Sequence, residues 1–221
     1  MTYIVAVSGF KNSGKTTLCR NLLKELSLQE VSTGYIKHTS GNALKSDANS
    51  DTGSVINMGI PSILWGNDGL SFEEKSEKTE INPAYIASKY FPDKELLILE
   101  GGKSLTLPKI WVCSESGEVP NYPGIFLIYD RYGKTDKKFS FGPGQESDIA
   151  SKLFELARES SYGSAKVYIG NKPLPMKGFV ADFVSGGVVG MLSSLKGVGK
   201  LEDSIRVYID TKKLNKNCTN V

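Results

Sequence analysis

Cysteine, histidine and arginine are scarce in this chain, and each scarcity closes off a class of chemistry. Its three cysteines, Cys19, Cys113 and Cys218, are scattered and odd in number, which argues for reduced thiols and against a disulfide frame or a zinc site. His38 is the one histidine, so a metal centre built on several imidazoles is excluded. Arginine is confined to Arg20, Arg131, Arg158 and Arg206, without the cluster that closes over phosphates in many small-molecule kinases. A strong charge bias is missing too. The formal net charge is +3, and the lysine-rich patches at Lys134, Lys137 and Lys138 and at Lys212, Lys213 and Lys216 are short, so nucleic acid is not an expected partner. No run of about 18 apolar residues is available to span a membrane. The first residues enter an apolar strand without the basic-then-apolar pattern of an export signal, and a cytoplasmic protein is expected. What remains, 39% hydrophobic and 23% charged over 221 residues, suffices for a globular chain with a sizeable core.

The feature around which the chain is organised is Gly9-Phe10-Lys11-Asn12-Ser13-Gly14-Lys15-Thr16. It fits the phosphate-loop pattern of Gly, four residues, Gly-Lys-Ser/Thr. An apolar run at 3–7 of strand length precedes it, and Leu18, Leu22, Leu23 and Leu26 follow at helical spacing. Small residues let successive backbone N–H groups point at phosphate oxygens, and the helix adds the positive end of its dipole. In this pattern Gly9, Asn12, Ser13, Gly14 and Thr17 furnish the cradle. Lys15 neutralises the β/γ-phosphates, and the Thr16 hydroxyl is a ligand for magnesium.

Strand-like runs recur at 33–37, 61–65, 96–99, 109–113 and 125–129, with helical patterns between them at 51–59, 83–91 and 146–159. Leu70, Ser71 and Phe72 can return as a hairpin arm across Asn67-Asp68-Gly69. Strands alternating with helices predict an α/β fold, a mostly parallel sheet flanked by helices. Composition shifts near 160–164, a linker. A main domain over 1–160, a small C-terminal β-α-β module over 164–211 and a polar tail over 212–221 are expected. In the module, a long helix carries Phe179, Phe183, Val184, Val188, Met191, Leu192 and Leu195 along one side, and a last strand covers 205–209. Gly186, Gly187 and Gly190 cost that helix stability but permit close backbone approach.

Glu100, directly after four aliphatics, sits where ligands gather in open α/β sheets. It can hold magnesium or orient an attacking water; capping Gly101 and Gly102 is the plainer alternative. Asp51 reads as a helix start that can also enter the magnesium shell. His38 and Lys37 end a strand where loops carry function, and either can meet phosphate or simply face solvent. Asp130, ending another strand, is a candidate acceptor for the N–H groups of a guanine edge. The Asn/Thr-Lys-x-Asp guanine-reading pattern is absent as such, so guanine and adenine stay open on residues alone.

With GFKNSGKTTL at 9–18, IKHT at 36–39, the Asp51-Thr52 helix start and LLILEGGK at 96–103 in line, the chain resembles the molybdopterin-guanine dinucleotide biosynthesis protein B (MobB) family over about residues 1–130. The resemblance implies a phosphate-loop fold, GTP with magnesium as ligand, feeble hydrolysis and a homodimer. It further implies an accessory role beside the nucleotidyltransferase that attaches the nucleotide to molybdopterin. Ser40-Gly41 stands where the family often has a histidine pair, and Gly102 where an aromatic is common. A small-molecule kinase and a metal-delivery GTPase of the nickel-insertion type are the alternatives. The first lacks its arginine-rich lid here, the second its Cys/His cluster.

Overall fold

Four consecutive aliphatics need apolar cover on both faces, and strand β5 (Leu96–Glu100) receives it, buried at every position. In the computed structural model, which describes residues 2–75, 81–160, 164–170, 172–201, 204–209 and 211, β5 lies between β1 (Tyr3–Gly9) and β2 (Thr33–Lys37). It runs parallel to both, with Val7 and Lys37 each in register with Glu100. Strands β6 (Lys109–Val112), β7 (Ile125–Tyr129) and β8 (Ser140–Phe141) continue the sheet beyond β1, giving the order β2-β5-β1-β6-β7-β8 with every pairing parallel. The parallel α/β expectation is borne out. The two-residue β8 is an addition, too short to leave a pattern in the sequence.

Alternate residues of these strands face different partners. On one face, α1 (Lys15–Leu28) and α4 (Glu146–Ser160) bring Leu18, Leu22, Leu26, Ile149 and Leu153 against Val5, Val7, Leu96, Ile98 and Ile110. On the other, Trp111, Cys113 and Ile128 pack with Phe10 and Tyr122. At the β2 edge, Phe91, just after α3 (Pro83–Tyr90), presses on Gly34. A Cβ there would lie 2.8 Å from the Phe91 ring and 2.6 Å from Leu97. Lys109, at the start of β6, is fully buried. Its ammonium donates to the carbonyls of Leu105 and Pro123 (2.7 Å), and so ties the loop after β5 to the loop before β7.

Helix α2 (Asp51–Asn57) is capped by Ser50, whose hydroxyl accepts the Gly53 N–H at 3.1 Å. Strands β3 (Ser62–Gly66) and β4 (Gly69–Glu73) form the foreseen hairpin, separate from the main sheet and exposing Leu64, Leu70 and Trp65 (86% accessible).

After α4, Lys166 anchors the chain on the main body, donating to the carbonyls of Lys94 (2.9 Å) and Pro92 (3.2 Å). A short hairpin follows, β9 (Tyr168–Ile169) with β10 (Lys172–Pro173), and then α5 (Gly178–Ser193). Two expectations are corrected here. Residues 205–209 are described and form no strand, so the β-α-β reading of the module becomes hairpin plus helix: an apolar run needs a neighbouring strand to become one, and this run has none among the described residues. Along α5, Phe179 (80% accessible), Phe183 and Met191 are exposed, Val184, Val188 and Leu192 are half-buried, and only Ala181 is buried; Leu195, just past the helix, is exposed. With apolar residues on more than one side of the helix, periodicity alone does not tell the half-buried stripe from the exposed one. Most of the linker around 160–164, Asn171 of the expected turn, and the tail lie outside the described residues.

Trp111 links this core to the phosphate loop. Phe10 meets its ring edge-on at 5.3 Å and its indole N–H donates to the Glu118 carbonyl at 3.1 Å. Trp111→Ala is expected to cost about 3–5 kcal/mol in urea unfolding, and to loosen the loop through Phe10. A loss under 1 kcal/mol would contradict this packing.

Candidate nucleotide-binding site

The loop predicted between β1 and α1 is formed, and its backbone has the curvature that anion cradles need. Asn12 (φ 64°) and Gly14 (φ 94°) are left-handed and flank Ser13, an alternation that turns successive N–H groups inward. Gly9 must be glycine on space alone, since a Cβ would stand 2.5 Å from the Val112 carbonyl and 2.7 Å from Ser13 Oγ. Helix α1 then starts on Gly14 with no side-chain cap and no acid in its first turn. Its first N–H groups, from Lys15 to Thr17, lack the usual partners. Ser13 Oγ is buried and has no hydrogen-bond partner among the described residues. An orphaned hydroxyl, an uncapped helix start and two glycine positions that a side chain would fill together fit a phosphate group.

Lys15 reaches back over the loop and donates to the Phe10 carbonyl. Burial lowers its pKa, with Glu100 opposing and Lys103 and Lys37 adding to the fall. A phosphate would supply the countercharge that this ammonium lacks.

Glu100 arrives from the other side of the loop. The Thr16 hydroxyl donates to its Oε1 at 2.8 Å, the Tyr35 hydroxyl to its Oε2 at 2.6 Å, and Lys37 Nζ lies 3.4 Å from Oε1. Burial pushes this carboxyl up, but the Tyr35 and Thr16 hydrogen bonds and the Lys37 charge outweigh it and hold the group below its ordinary value. It is therefore ionised at neutral pH. A carboxylate beside a hydroxyl at a helix N-terminus is the hard-oxygen donor set that magnesium takes, so Thr16 and Glu100 fit the metal. Glu100 is not spent on capping Gly101, whose N–H bonds to the Val7 carbonyl at 3.0 Å.

Tyr35 escaped the sequence reading. It shares a face of β2 with Lys37, two residues on, and that face meets Glu100 only because β2 pairs with β5. Burial first, and the Glu100 hydrogen bond second, raise the Tyr35 pKa, so the phenol stays a donor. Cys19, in the same region of α1, is pushed up to about 12 by burial and by Glu100, and is an inert thiol.

The other candidates fall in different places. His38 continues the β2 ladder through its N–H to the Glu100 carbonyl (2.9 Å), and its side chain lines a cavity of about 340 Å³ with Phe10, Lys11, Gly101 and Lys103. That cavity adjoins the loop at the C-terminal ends of β1 and β5, where ligands bind in open α/β sheets. Thr17 is exposed in the first turn of α1. Asp51 is exposed at the first position of α2, and among the described residues its carboxylate contacts neither Thr16 nor Glu100. Asp130 is 4% accessible, and its oxygens accept the backbone N–H groups of Tyr132 (2.9 Å), Lys134 (2.6 Å) and Thr135 (2.7 Å). Its observed work is to shape the loop after β7, and a guanine edge would have to compete with three backbone donors.

Known proteins resemble this chain. A family model described as molybdopterin guanine dinucleotide synthesis protein B, MobB, matches residues 4–124. The molybdopterin-guanine dinucleotide biosynthesis adapter protein of Haemophilus influenzae is 26% identical over 110 residues, which is 48% of this chain and 61% of that one. A Methanocaldococcus jannaschii protein given the same name provisionally is 24% identical, with 96% of this chain and 99% of that one covered. Among solved structures, a molybdopterin-guanine biosynthesis protein B aligns with a TM-score of 0.56 at 21% identity, over 70% of this chain and 99% of that one. A MobB homolog from Bacillus stearothermophilus aligns with 0.52 at 17% identity, over 71% and 98%. At those identities the structures attest the fold, whereas the family match spans more than half of the chain. On the strength of that match, the chain belongs to the MobB family of molybdopterin-guanine dinucleotide synthesis proteins.

Proposed function

We propose that this chain is an adapter in the attachment of a guanine nucleotide to molybdopterin, and that it works by holding GTP with magnesium rather than by fast turnover. The observation that carries the reading is the uncapped start of α1 facing an ionised Glu100 across the Thr16 hydroxyl. In this reading the backbone of residues 12–17 receives the phosphates. Ser13 Oγ gains the partner it lacks, and Lys15 exchanges the Phe10 carbonyl for phosphate oxygen. Thr16 and Glu100 would hold the magnesium ion, which when bound neutralises charge between the terminal phosphates. Thr16, Tyr35 and Lys37 hold Glu100 in place and keep its pKa below the ordinary value, so it is a weak base toward water, which supports slow hydrolysis at most. Lys37 and Lys11 add positive charge beside the phosphates, and His38 lines the same cavity as Lys11.

The partners in this reading are the molybdopterin nucleotidyltransferase and a second copy of the chain. Exposed apolar side chains on β3–β4 and on α5 fit such contacts. Among the described residues no helix is long and apolar enough to cross a membrane, and no three His, Cys, Asp or Glu side chains gather as a metal site. The metal-delivery alternative thus draws no support from the site, and the cytoplasm remains the proposed location.

Lys15→Ala is expected to weaken GTP binding by roughly a hundredfold in calorimetry, the loss of a charged hydrogen-bond donor to phosphate. Unchanged affinity would remove the site assignment, and equal competition by ATP would remove the guanine preference. Glu100→Gln should keep nucleotide binding while losing most of the gain in affinity that magnesium confers; a full magnesium effect in that variant would take Glu100 out of the metal shell.

A further inference from the structure

Arg131 belongs to neither the phosphate-loop pattern nor the residues that carry the family likeness, yet it touches the loop. It follows Asp130 after the C-terminal end of β7, and its side chain crosses to the start of α1. A Cβ built on Gly14 would stand 2.7 Å from Arg131 Nη1, 3.2 Å from Cδ and 3.5 Å from Cζ, so the guanidinium lies against the bare Cα of the helix N-cap. Any side chain at Gly14 would displace it.

For the chain alone this is the wrong charge in the wrong place. A helix N-terminus carries about half a positive elementary charge, and a guanidinium there is repelled. No acid lies in the first turn of α1 to offset it, and the Lys15 ammonium adds to the excess. The carboxylates around the loop are otherwise engaged: Asp130 by the N–H groups of Tyr132, Lys134 and Thr135, Glu100 by Thr16, Tyr35 and Lys37, and Glu146 by Tyr129, Asn21 and the Gly144 N–H. The Asp130 hydrogen bonds also fix the turn of the 130–135 loop from which Arg131 extends, with its guanidinium 5.8 Å from the Tyr132 ring centre. The chain thus constrains the root of a cation beside an uncapped helix start, an arrangement that an anion would stabilise.

We propose that Arg131 is a phosphate-binding residue of this site, closing the loop from the β7 side and pairing with the polyphosphate oxygens of a nucleoside di- or triphosphate. Glu100 and magnesium then serve one flank of the polyphosphate and Arg131 the other. The inference rests on the nucleotide reading above and adds a ligand to it. Arginine suits the role because its fork can meet two oxygens at once while its stem covers Gly14.

The test is calorimetry on the full chain with magnesium, using GTP and inorganic tripolyphosphate against wild type, Arg131→Gln and Arg131→Lys. Arg131→Gln should weaken both ligands by the same factor, roughly tenfold to a hundredfold. Arg131→Lys should recover part of it. The melting temperature of the ligand-free Gln variant should equal or exceed that of wild type, since a repelled charge has gone. A loss for GTP without a loss for tripolyphosphate would move the contact to base or ribose and overturn the proposal, as would wild-type affinity in Arg131→Gln. A lowered ligand-free melting temperature that accounts for the lost affinity would reduce Arg131 to packing on Gly14. Wild-type protein that binds neither ligand would take the nucleotide reading down with it, whereas wild-type binding with an unaffected variant removes Arg131 alone.

Discussion

The hydrogen bond from the Thr16 hydroxyl to Glu100 joins residues 84 apart in sequence, and the site depends on it. It exists because β5 is buried on both faces and held in register by two neighbours, Val7 on one side and Lys37 on the other pairing with Glu100. In a strand, a slip of one residue sends every side chain to the opposite face. Glu100 would then leave Thr16 and enter the face lined by Leu97 and Leu99, while Tyr35 and Lys37 would lose it. The aliphatic run of β5 is therefore more than core. Its burial is the reason a carboxylate stands at a defined distance from the phosphate loop.

The loop itself is under tension that the rest of the fold sustains. Asn12 holds a left-handed backbone, Ser13 buries a hydroxyl without a partner, and α1 begins with neither cap nor acid. A left-handed non-glycine residue or a buried unsatisfied hydroxyl costs of order 1–3 kcal/mol. These features persist because the flanks are rigid: Phe10 is pinned edge-on to the buried Trp111, and α1 packs through Leu18, Leu22 and Leu26 on the sheet. Arg131 adds a repelled charge of the same sign as the helix end. An anion would satisfy the orphaned hydroxyl, the helix start and the Arg131 charge at once, so in the proposed reading binding and loop stabilisation are one event.

Much of this was legible beforehand, for identifiable reasons. The loop motif, the apolar runs of β1, β2, β5, β6 and β7, and the hairpin turn at 67–69 are contiguous patterns, and contiguous patterns survive without tertiary knowledge. The failures share the opposite trait. Residues 205–209 have strand composition but pair with no strand among the described residues, and α5 fully buries only Ala181. Tyr35 looked like an ordinary strand residue until β2 was placed beside β5. Asp130 was read as a base acceptor, and the structure gives its oxygens to its own loop. Lys109 opened a strand on paper and proves to be a buried tie between two loops.

By itself, the sequence determined that this chain makes a phosphate loop between a strand and a helix, that an acid ends a buried strand, and that multi-histidine and thiolate chemistry is excluded. Each of those follows from residue type and local spacing. Only the tertiary structure decided that Glu100 meets Thr16, Tyr35 and Lys37, and that Arg131 lies on Gly14. Parallel strands are joined by long crossovers, so side chains that meet at their ends come from distant segments, and strand order and register alone bring them together.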